Sequence, residues 1–199
     1  MSSIKRILIA SILLLSVGAF GALFTSHAVV HVDYHVGQKI DSLNGVYVYY
    51  NGSVSNVVER NTTKDGYNLG LKYQCVEFVK RYYYQYFHHK MPNSYGHAKD
   101  FYNRKFADGA LNTERNLIQY KNGGSGIPQA NDLVVWNGNE WNPYGHVAIV
   151  VKNVNNKYVE IIQQNPGPGA PSRINMNLIA TTKGYEIESD EILGWLHKN

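Results

Sequence analysis

The chain has 199 residues, of which 44% are hydrophobic and 17% charged, and a formal net charge of +4 at neutral pH. This composition is sufficient for one globular domain plus a targeting segment, and it excludes a disordered chain. Lysine and arginine form no cluster or stripe, so no nucleic-acid partner is expected.

The first 28 residues have the pattern of an export signal. Lys5 and Arg6 precede an uncharged apolar run over residues 7–24, and small residues follow at Ser26 and Ala28. This succession is typical of a secretory signal, while the run is also about long enough to cross a bilayer once. We therefore predict a cleaved signal peptide or a retained membrane anchor through residues 7–24. In both cases the domain is exported: periplasmic, secreted or tethered to the membrane.

Residues 29–42 are interpreted as a linker and residues 43–199 as a single domain. His31 and His35 have the i, i+4 spacing of metal ligands, but no third ligand stands near them in the sequence. We therefore expect neither a metal nor another cofactor.

The first predicted elements are a strand and a helix, separated by a polar loop over residues 51–70. Residues 44–50 read as a strand that ends at an Asn-Gly turn. Residues 75–89 read as a helix, because apolar side chains recur every three and four residues and form a wide face. Lys80 and Arg81 fall off the apolar rows of this helix.

The C-terminal half predicts a sheet. Residues 95–120 are interpreted as helical or irregular, and strands are predicted at 132–136, 146–151 and 157–162. A proline- and glycine-rich loop over residues 165–171 follows, and the apolar segment 192–196 closes the chain. One helix followed by antiparallel strands predicts an α+β domain.

Cys75 is the only cysteine in the chain, so it cannot close an internal disulfide, although disulfides are the usual use of cysteine in exported proteins. It opens the predicted helix, where N–H groups lack intrahelical partners and the helix dipole is positive. We expect this position to lower the thiol pKa and favour a nucleophilic thiolate. The Cys75 N–H can also stabilise an oxyanion. The alternative interpretation is a buried small hydrophobe.

His146 is the best placed of the eight histidines to act as a base, because it begins a strand beside a loop. If residues 153–156 close a hairpin, Lys152 faces Lys157. His146 then faces Gln163 on the next strand, and Asn165 lies on the same face. Gln163 then accepts the Nδ1–H bond that orients the imidazole. A slip of one residue would bring Gln164 there instead. The alternative is a strand-end histidine bonded to backbone.

The segments YQCVEFVKRYY, DLVVW, GHVAIV and IIQQN, in that order, resemble the CHAP family of cysteine, histidine-dependent amidohydrolases/peptidases, and within it the glutathionylspermidine amidase type. The resemblance covers roughly residues 43–197. It implies a papain-like CHAP fold with an N-terminal nucleophile helix packed on an antiparallel sheet.

Position by position, the resemblance implies that Cys75 is the nucleophile and His146 the general base. Gln74, Lys80 and Arg81 are implied as substrate-binding residues, the two cations standing where the subgroup has two arginines. The family usually has Glu-Gln-Asn where this chain has Gln163-Gln164-Asn165. A neutral amide fixes the imidazole tautomer but stabilises imidazolium less than a carboxylate does, so lower or lost activity is one expectation.

Three functions follow. The first is an exported cysteine amidase or endopeptidase that hydrolyses peptidoglycan peptides, as exported members of the family typically do. The second is an amidase of glutathione–polyamine conjugates. The third is an exported binding module that has kept the fold without the catalytic glutamate. The sequence leaves the oligomeric state open.

Overall fold

The computed structural model describes residues 34–167 and 169–199. The predicted export segment over residues 1–28 lies outside this part of the chain. No helix in the described residues has the length and apolarity that crossing a membrane requires.

The described chain contains one α-helix, one 3₁₀-helix and twelve strands, and it is therefore mixed but mostly β. This agrees with the predicted α+β class. In chain order the elements are β1 (Lys39–Leu43), β2 (Val46–Tyr49), β3 (Arg60–Thr62), β4 (Asn68–Leu71), α1 (Cys75–Phe87), the 3₁₀-helix (Ala98–Phe101), β5 (Ala110–Asn112), β6 (Leu117–Lys121), β7 (Leu133–Trp136), β8 (His146–Val154), β9 (Tyr158–Ile162), β10 (Arg173–Ala180), β11 (Tyr185–Ile187) and β12 (Ile192–His197).

Eight strands form one antiparallel sheet in the order β11-β10-β9-β8-β7-β12-β6-β5, and β1–β2 and β3–β4 are separate hairpins. Side chains alternate along each strand, so the sheet has a buried cluster on both faces. On one face α1 packs through Phe78, Val79, Tyr82 and Tyr83. The cluster on the other face surrounds Trp195.

The helix α1 matches its prediction closely. It begins at Cys75 and ends at Phe87, two residues earlier than predicted. His88 stops it by adopting left-handed dihedral angles (φ 52°), while its N–H donates to the Tyr83 carbonyl. At its other end, the start of α1 packs against the middle of the sheet, where the β7 and β8 side chains are apolar.

The predicted polar loop over residues 51–70 is wrong in part, because it contains β3 and three of the four residues of β4. This hairpin covers the side of α1 that carries Lys80 and Arg81. Gly70 allows the close approach: its φ is +126°, and a Cβ there would lie 3.1 Å from the Glu77 backbone nitrogen. The strand β3 is Arg-Asn-Thr without an apolar side chain, and β4 is only four residues long with two leucines, which explains why the sequence pattern missed the hairpin.

The predicted linker over residues 29–42 is also wrong at its C-terminal end, because β1 starts at Lys39 and pairs with β2. Asp41 in β1 accepts hydrogen bonds from Arg173 Nε (2.9 Å) and Ser172 Oγ (2.7 Å) at the start of β10. The compact unit begins at Tyr34. The hairpin β1–β2 is therefore part of the domain.

The region 95–120, interpreted as helical or irregular, holds the short 3₁₀-helix and the hairpin β5–β6. The strands β10 and β11 were not predicted. In β10 asparagine and arginine alternate with isoleucine, methionine and leucine, and most of its side chains are only partly buried. A strand near the edge of a sheet needs few apolar residues, so its pattern is weak.

Candidate active site

Cys75 is the first residue of α1, as the sequence predicts. Gln74 before it is extended (φ −83°, ψ 158°) and is therefore the N-cap of the helix. The backbone N–H groups of Val147 in β8, of Val76 and of Cys75 itself lie near enough to the sulfur to favour its thiolate. The thiol therefore lies at the end of β8 that carries His146.

The thiol is not acidic in this position. Burial raises the pKa of Cys75 to about 11, and the N–H groups directed at the sulfur oppose that effect only in part. The expected lowering of the pKa by the helix start is therefore wrong for this structure. Loss of solvation disfavours the thiolate more than the first-turn N–H groups favour it, so Cys75 is a neutral thiol at neutral pH.

His146 is the first residue of β8, and Gln163 holds its ring. The ring nitrogen Nε2 lies 3.0 Å from Gln163 Oε1. The sequence predicts this partner but assigns the bond to Nδ1, and that assignment is wrong. Within the described residues the ring makes no hydrogen bond to Cys75, and Nδ1 has no hydrogen-bond partner there.

The orientation of the Gln163 amide fixes the imidazole tautomer. Gln163 Nε2 donates to the Pro171 carbonyl at 3.0 Å, and because a carbonyl only accepts, the amide nitrogen must face it. The amide oxygen therefore faces His146 and also only accepts. The hydrogen of the neutral imidazole must then be on Nε2, which leaves the Nδ1 lone pair available as a base.

The imidazole is neutral over a wide pH range. Burial lowers the pKa of His146 to about 4, and the hydrogen bond to Gln163 opposes the change only weakly. An amide oxygen offers imidazolium a dipole where a carboxylate would offer a full charge. The site therefore contains a neutral thiol and a neutral base rather than a preformed ion pair.

The hairpin that brings Gln163 to His146 differs from the predicted one. Asn155 and Asn156 both have positive φ (51° and 56°) and form a two-residue turn, with the Lys157 N–H donating to the Val154 carbonyl. This is the tight turn that favours asparagine. The predicted pairing of Lys152 with Lys157 is therefore wrong.

A β-bulge then restores the face on which Gln163 projects. Near the turn Lys152 faces Glu160, but Ile149 faces Ile162, because one residue of β8, Val151, is unpaired within this hairpin. Continued without the bulge, the pairing near the turn would place Gln164 on the face of His146. With the bulge, Gln163 is the diagonal neighbour of His146, which long side chains can reach.

Asn165 and Gln74 meet at the N-terminus of α1. Asn165 Nδ2 donates to Gln74 Oε1 at 2.8 Å and to the Val54 carbonyl at 3.2 Å. Gln74 Nε2 donates to the carbonyls of Val54 and Asn56. Both amides therefore hold the loop before α1, and neither is bonded to His146.

Lys80 and Arg81 point into the protein. Lys80 is 1% exposed, and its ammonium group donates to the carbonyls of Asn68 and Ser94. Arg81 is 6% exposed and forms an ion pair with Glu77, with Nε 2.6 Å from Oε1. Because these groups are already bonded, binding a substrate through them would require breaking internal contacts.

Sequence reasoning missed two residues that organise this region. Glu77 accepts hydrogen bonds from Arg81, from Asn61 Nδ2 at 2.8 Å and from Gln164 Nε2 at 3.0 Å. Its position four residues before Arg81 is the spacing of a helical ion pair, which was the available signal. Gln164 had been considered only as the result of a register slip.

The surface beside His146 carries exposed aromatic rings. Trp141, in the loop that leads from β7 to His146, is 93% exposed. Tyr144 and Tyr95 are also exposed, and the Tyr144 ring contacts the His97 ring with centroids 4.7 Å apart. This arrangement is an open aromatic surface, suited to contacting a ligand larger than the site itself.

Comparison with known proteins gives one family and several relatives. The family model described as CHAP domain matches residues 64–165, just over half of the chain, including the thiol, the imidazole and Gln163.

Three relatives illustrate the likeness. The chain is 31% identical to the glutathionylspermidine synthase of Crithidia fasciculata, over 64% of this chain and 19% of that protein. It is 29% identical to the bifunctional glutathionylspermidine synthetase/amidase of Escherichia coli (strain K12), over 71% and 24%. It is 30% identical to the trypanothione synthetase of Crithidia fasciculata, over 51% and 15%. The chain thus spans a quarter or less of the length of each of these relatives.

Proposed function

The chain belongs to the CHAP family, and from that membership we propose that it hydrolyses amide bonds through an acyl-enzyme on Cys75. One observation carries the proposal. The Val147 N–H lies near the Cys75 sulfur, and His146, one residue earlier in β8, is hydrogen-bonded to Gln163. The proposed nucleophile, base and orienting residue therefore lie near one end of β8, which supports nucleophilic catalysis.

In the proposed reaction, Cys75 Sγ attacks the carbonyl carbon while His146 Nδ1 takes the thiol proton. The carbonyl oxygen becomes an oxyanion, which the Cys75 backbone N–H at the start of α1 can stabilise. When the C–N bond breaks, the imidazolium returns its proton to the departing amine. Water then attacks the thioester, its proton passing through His146, and releases the acid and the thiol.

The neutral resting state makes His146 a general base, acting as the sulfur attacks. A pKa of about 4 makes the free imidazole a weak acceptor. A substrate carbonyl beside the sulfur assists proton transfer, because charge passes to the oxyanion instead of remaining on the sulfur. We therefore infer a slower enzyme than one with a carboxylate at position 163.

We propose peptidoglycan peptides as the substrate class, acted on after export directed by residues 1–28. The open aromatic surface around Trp141 supports an extended substrate. Purified protein incubated with cell-wall sacculi under reducing conditions should release peptide fragments, and the Cys75→Ala variant should release none. Equal release by both proteins, or none by either, would reject this substrate.

A second candidate is the amide bond of a glutathione–polyamine conjugate. The E. coli relative is described as a bifunctional glutathionylspermidine synthetase/amidase, and the CHAP family match over residues 64–165 includes the residues proposed here to be catalytic. Incubation with glutathionylspermidine, followed by quantification of free spermidine, decides this. If the chain cleaves neither substrate yet binds sacculi, it acts as a CHAP-fold binding protein.

A further inference from the structure

The amide of Gln164 is sealed in the protein and fully engaged. It is 0% exposed. Its Oε1 accepts the Tyr49 N–H at 2.8 Å, while its Nε2 donates to the Gln74 carbonyl at 2.9 Å and to Glu77 Oε2 at 3.0 Å. One side chain from the end of β9 thus joins β2 to the first turn of α1.

We propose that Gln164 is a positioning residue, which sets the distance between Cys75 and the Gln163–His146 pair. The inference rests on the proposed function. Gln164 directly follows Gln163, and its partner Gln74 directly precedes Cys75. The hydrogen bond between Gln164 and the Gln74 carbonyl is therefore a short connection between the two halves of the site.

Alternation along the extended chain explains how one segment serves both halves. Successive side chains project to opposite faces, so Gln163 reaches His146 while Gln164 reaches α1. A movement of this segment shifts both contacts together. The bulge at Val151, which assigns Gln163 to the imidazole, therefore also assigns Gln164 to the helix.

Only one of the two orientations of the Gln164 amide fits its hydrogen-bond partners. The Tyr49 N–H only donates, so the amide oxygen must face it, and the Glu77 carboxylate only accepts, so the amide nitrogen must face that side. Arg81 and Asn61 hold Glu77 in place. The cation that was expected to contact substrate thus supports the placement of Cys75 through Glu77 and Gln164.

Gln119 provides a matched control for a purely structural role. Its amide is also 0% exposed and makes three hydrogen bonds, to Asn103 N at 2.9 Å, Asn103 O at 3.0 Å and Asn112 Nδ2 at 3.0 Å. It lies in β6, and within the described residues its side-chain partners Asn103 and Asn112 make no hydrogen bond to Cys75. A variant at Gln119 therefore measures what the loss of a buried amide does by itself.

The experiment compares Gln164→Leu with Gln119→Leu in the full chain. We expect both to lower the unfolding temperature, and only Gln164→Leu to lower kcat, by about 10- to 100-fold with KM changed less than about threefold. Gln164→Asn keeps the amide on a shorter side chain and should give an intermediate kcat. It replaces Gln164→Leu in the comparison if the leucine variant does not fold. Equal effects of the Gln164 and Gln119 variants on kcat would overturn the proposal.

A second readout separates this proposal from the proposed function. The rate at which iodoacetamide alkylates Cys75 is measured against pH and requires no turnover. Loosening the first turn of α1 admits water to the sulfur, so the Gln164 variants should react at least about tenfold faster at pH 8 than wild type. Gln119→Leu should be alkylated at the wild-type rate. If Gln164 variants alkylate at the wild-type rate, Gln164 does not position the thiol, whatever substrate the chain cleaves.

Discussion

The imidazole of His146 and the amide of Gln163 are joined by a hydrogen bond of 3.0 Å between Nε2 and Oε1. The other end of the amide is bonded to the Pro171 carbonyl, so the pair has one orientation. A carboxylate at position 163 would strengthen the contact with imidazolium. It would also place an acceptor oxygen against the Pro171 carbonyl, where no hydrogen bond could form. The amide therefore fixes the tautomer without charging the ring.

The charge at position 163 should control the pKa of the base. In Gln163→Glu the added carboxylate stabilises imidazolium, so the pKa of His146 should rise from about 4 by at least one unit. An NMR titration of the His146 ring measures it. Gln85→Glu, on the exposed side of α1, adds the same charge elsewhere and should leave the His146 pKa unchanged. An unaltered titration in the Gln163 variant would contradict the assignment of this pair.

The pH dependence of alkylation tests the protonation state of Cys75. Because burial raises the pKa of the thiol to about 11, the rate of reaction with iodoacetamide should increase about tenfold per pH unit from pH 7 to pH 10. Free cysteine, with its pKa of about 8.5, should level off within that range. A rate that is already level at pH 7 would indicate a preformed thiolate and rule out the neutral resting state.

The ion pair between Arg81 and Glu77 should matter for stability rather than for substrate affinity. Arg81→Leu leaves a carboxylate buried without its cation, which should lower the free energy of unfolding by about 3–5 kcal/mol. Urea denaturation measures the change. Lys72→Leu breaks the exposed pair with Glu59 and should cost about 0–1 kcal/mol. If Arg81→Leu unfolds at the same free energy as wild type and has a raised KM, the prediction that Arg81 binds substrate would be restored.

The contact between His197 and Asp132 should make stability depend on pH. The hydrogen bond from His197 Nδ1 to the buried Asp132 Oδ1 (2.7 Å) raises the pKa of His197. A raised pKa in the folded state stabilises the protein below the ordinary histidine pKa, and this contribution is lost as the pH rises through the folded-state value.

His197→Gln should therefore lower the free energy of unfolding more at pH 5 than at pH 9, by about 1 kcal/mol, because His197 is partly exposed to solvent. Denaturation at the two pH values measures the difference. His35→Gln, which replaces an exposed histidine, is the control variant. The opposite order of the two values for His197→Gln would refute the assignment.

Trp141 should contribute to binding an extended substrate. If sacculi are cleaved, Trp141→Ala should raise the apparent KM for them by about 5- to 30-fold, the effect of losing an aromatic contact of 1–2 kcal/mol, with kcat little changed. Tyr86→Ala removes an exposed ring near the C-terminal end of α1, away from Cys75, and should leave the apparent KM for sacculi unchanged. An unchanged KM in Trp141→Ala would show that the aromatic surface does not meet substrate.

The sequence predicted the parts of the site that depend on local patterns. The apolar rows of residues 75–87 predicted α1 and therefore put Cys75 at its start, and the apolar run after His146 predicted β8. The pairing within the β8–β9 hairpin was not predictable in the same way. It depends on where the turn closes and on a bulge at Val151, and Val151 lies within the apolar run 147–151, which gives no sign of that bulge.

Burial accounts for the other differences. The helix-start effect on the Cys75 thiol is local, whereas the raised pKa comes from the protein packed around the sulfur. Lys80 and Arg81 fall off the apolar rows of α1, and the hairpin that covers them was not predicted because β3 has no apolar residue and β4 is short. In both cases the deciding contacts are made by segments distant in sequence.

The contacts of Asp41 have a practical consequence for preparing the protein. A recombinant fragment cut at residue 43, where the sequence suggested that the domain begins, would lack the carboxylate that holds Ser172 and Arg173. Those residues directly follow Pro171, whose carbonyl orients the Gln163 amide. Such a fragment would retain Cys75 and His146 and yet assay as a damaged enzyme, so expression trials should start at or before Tyr34.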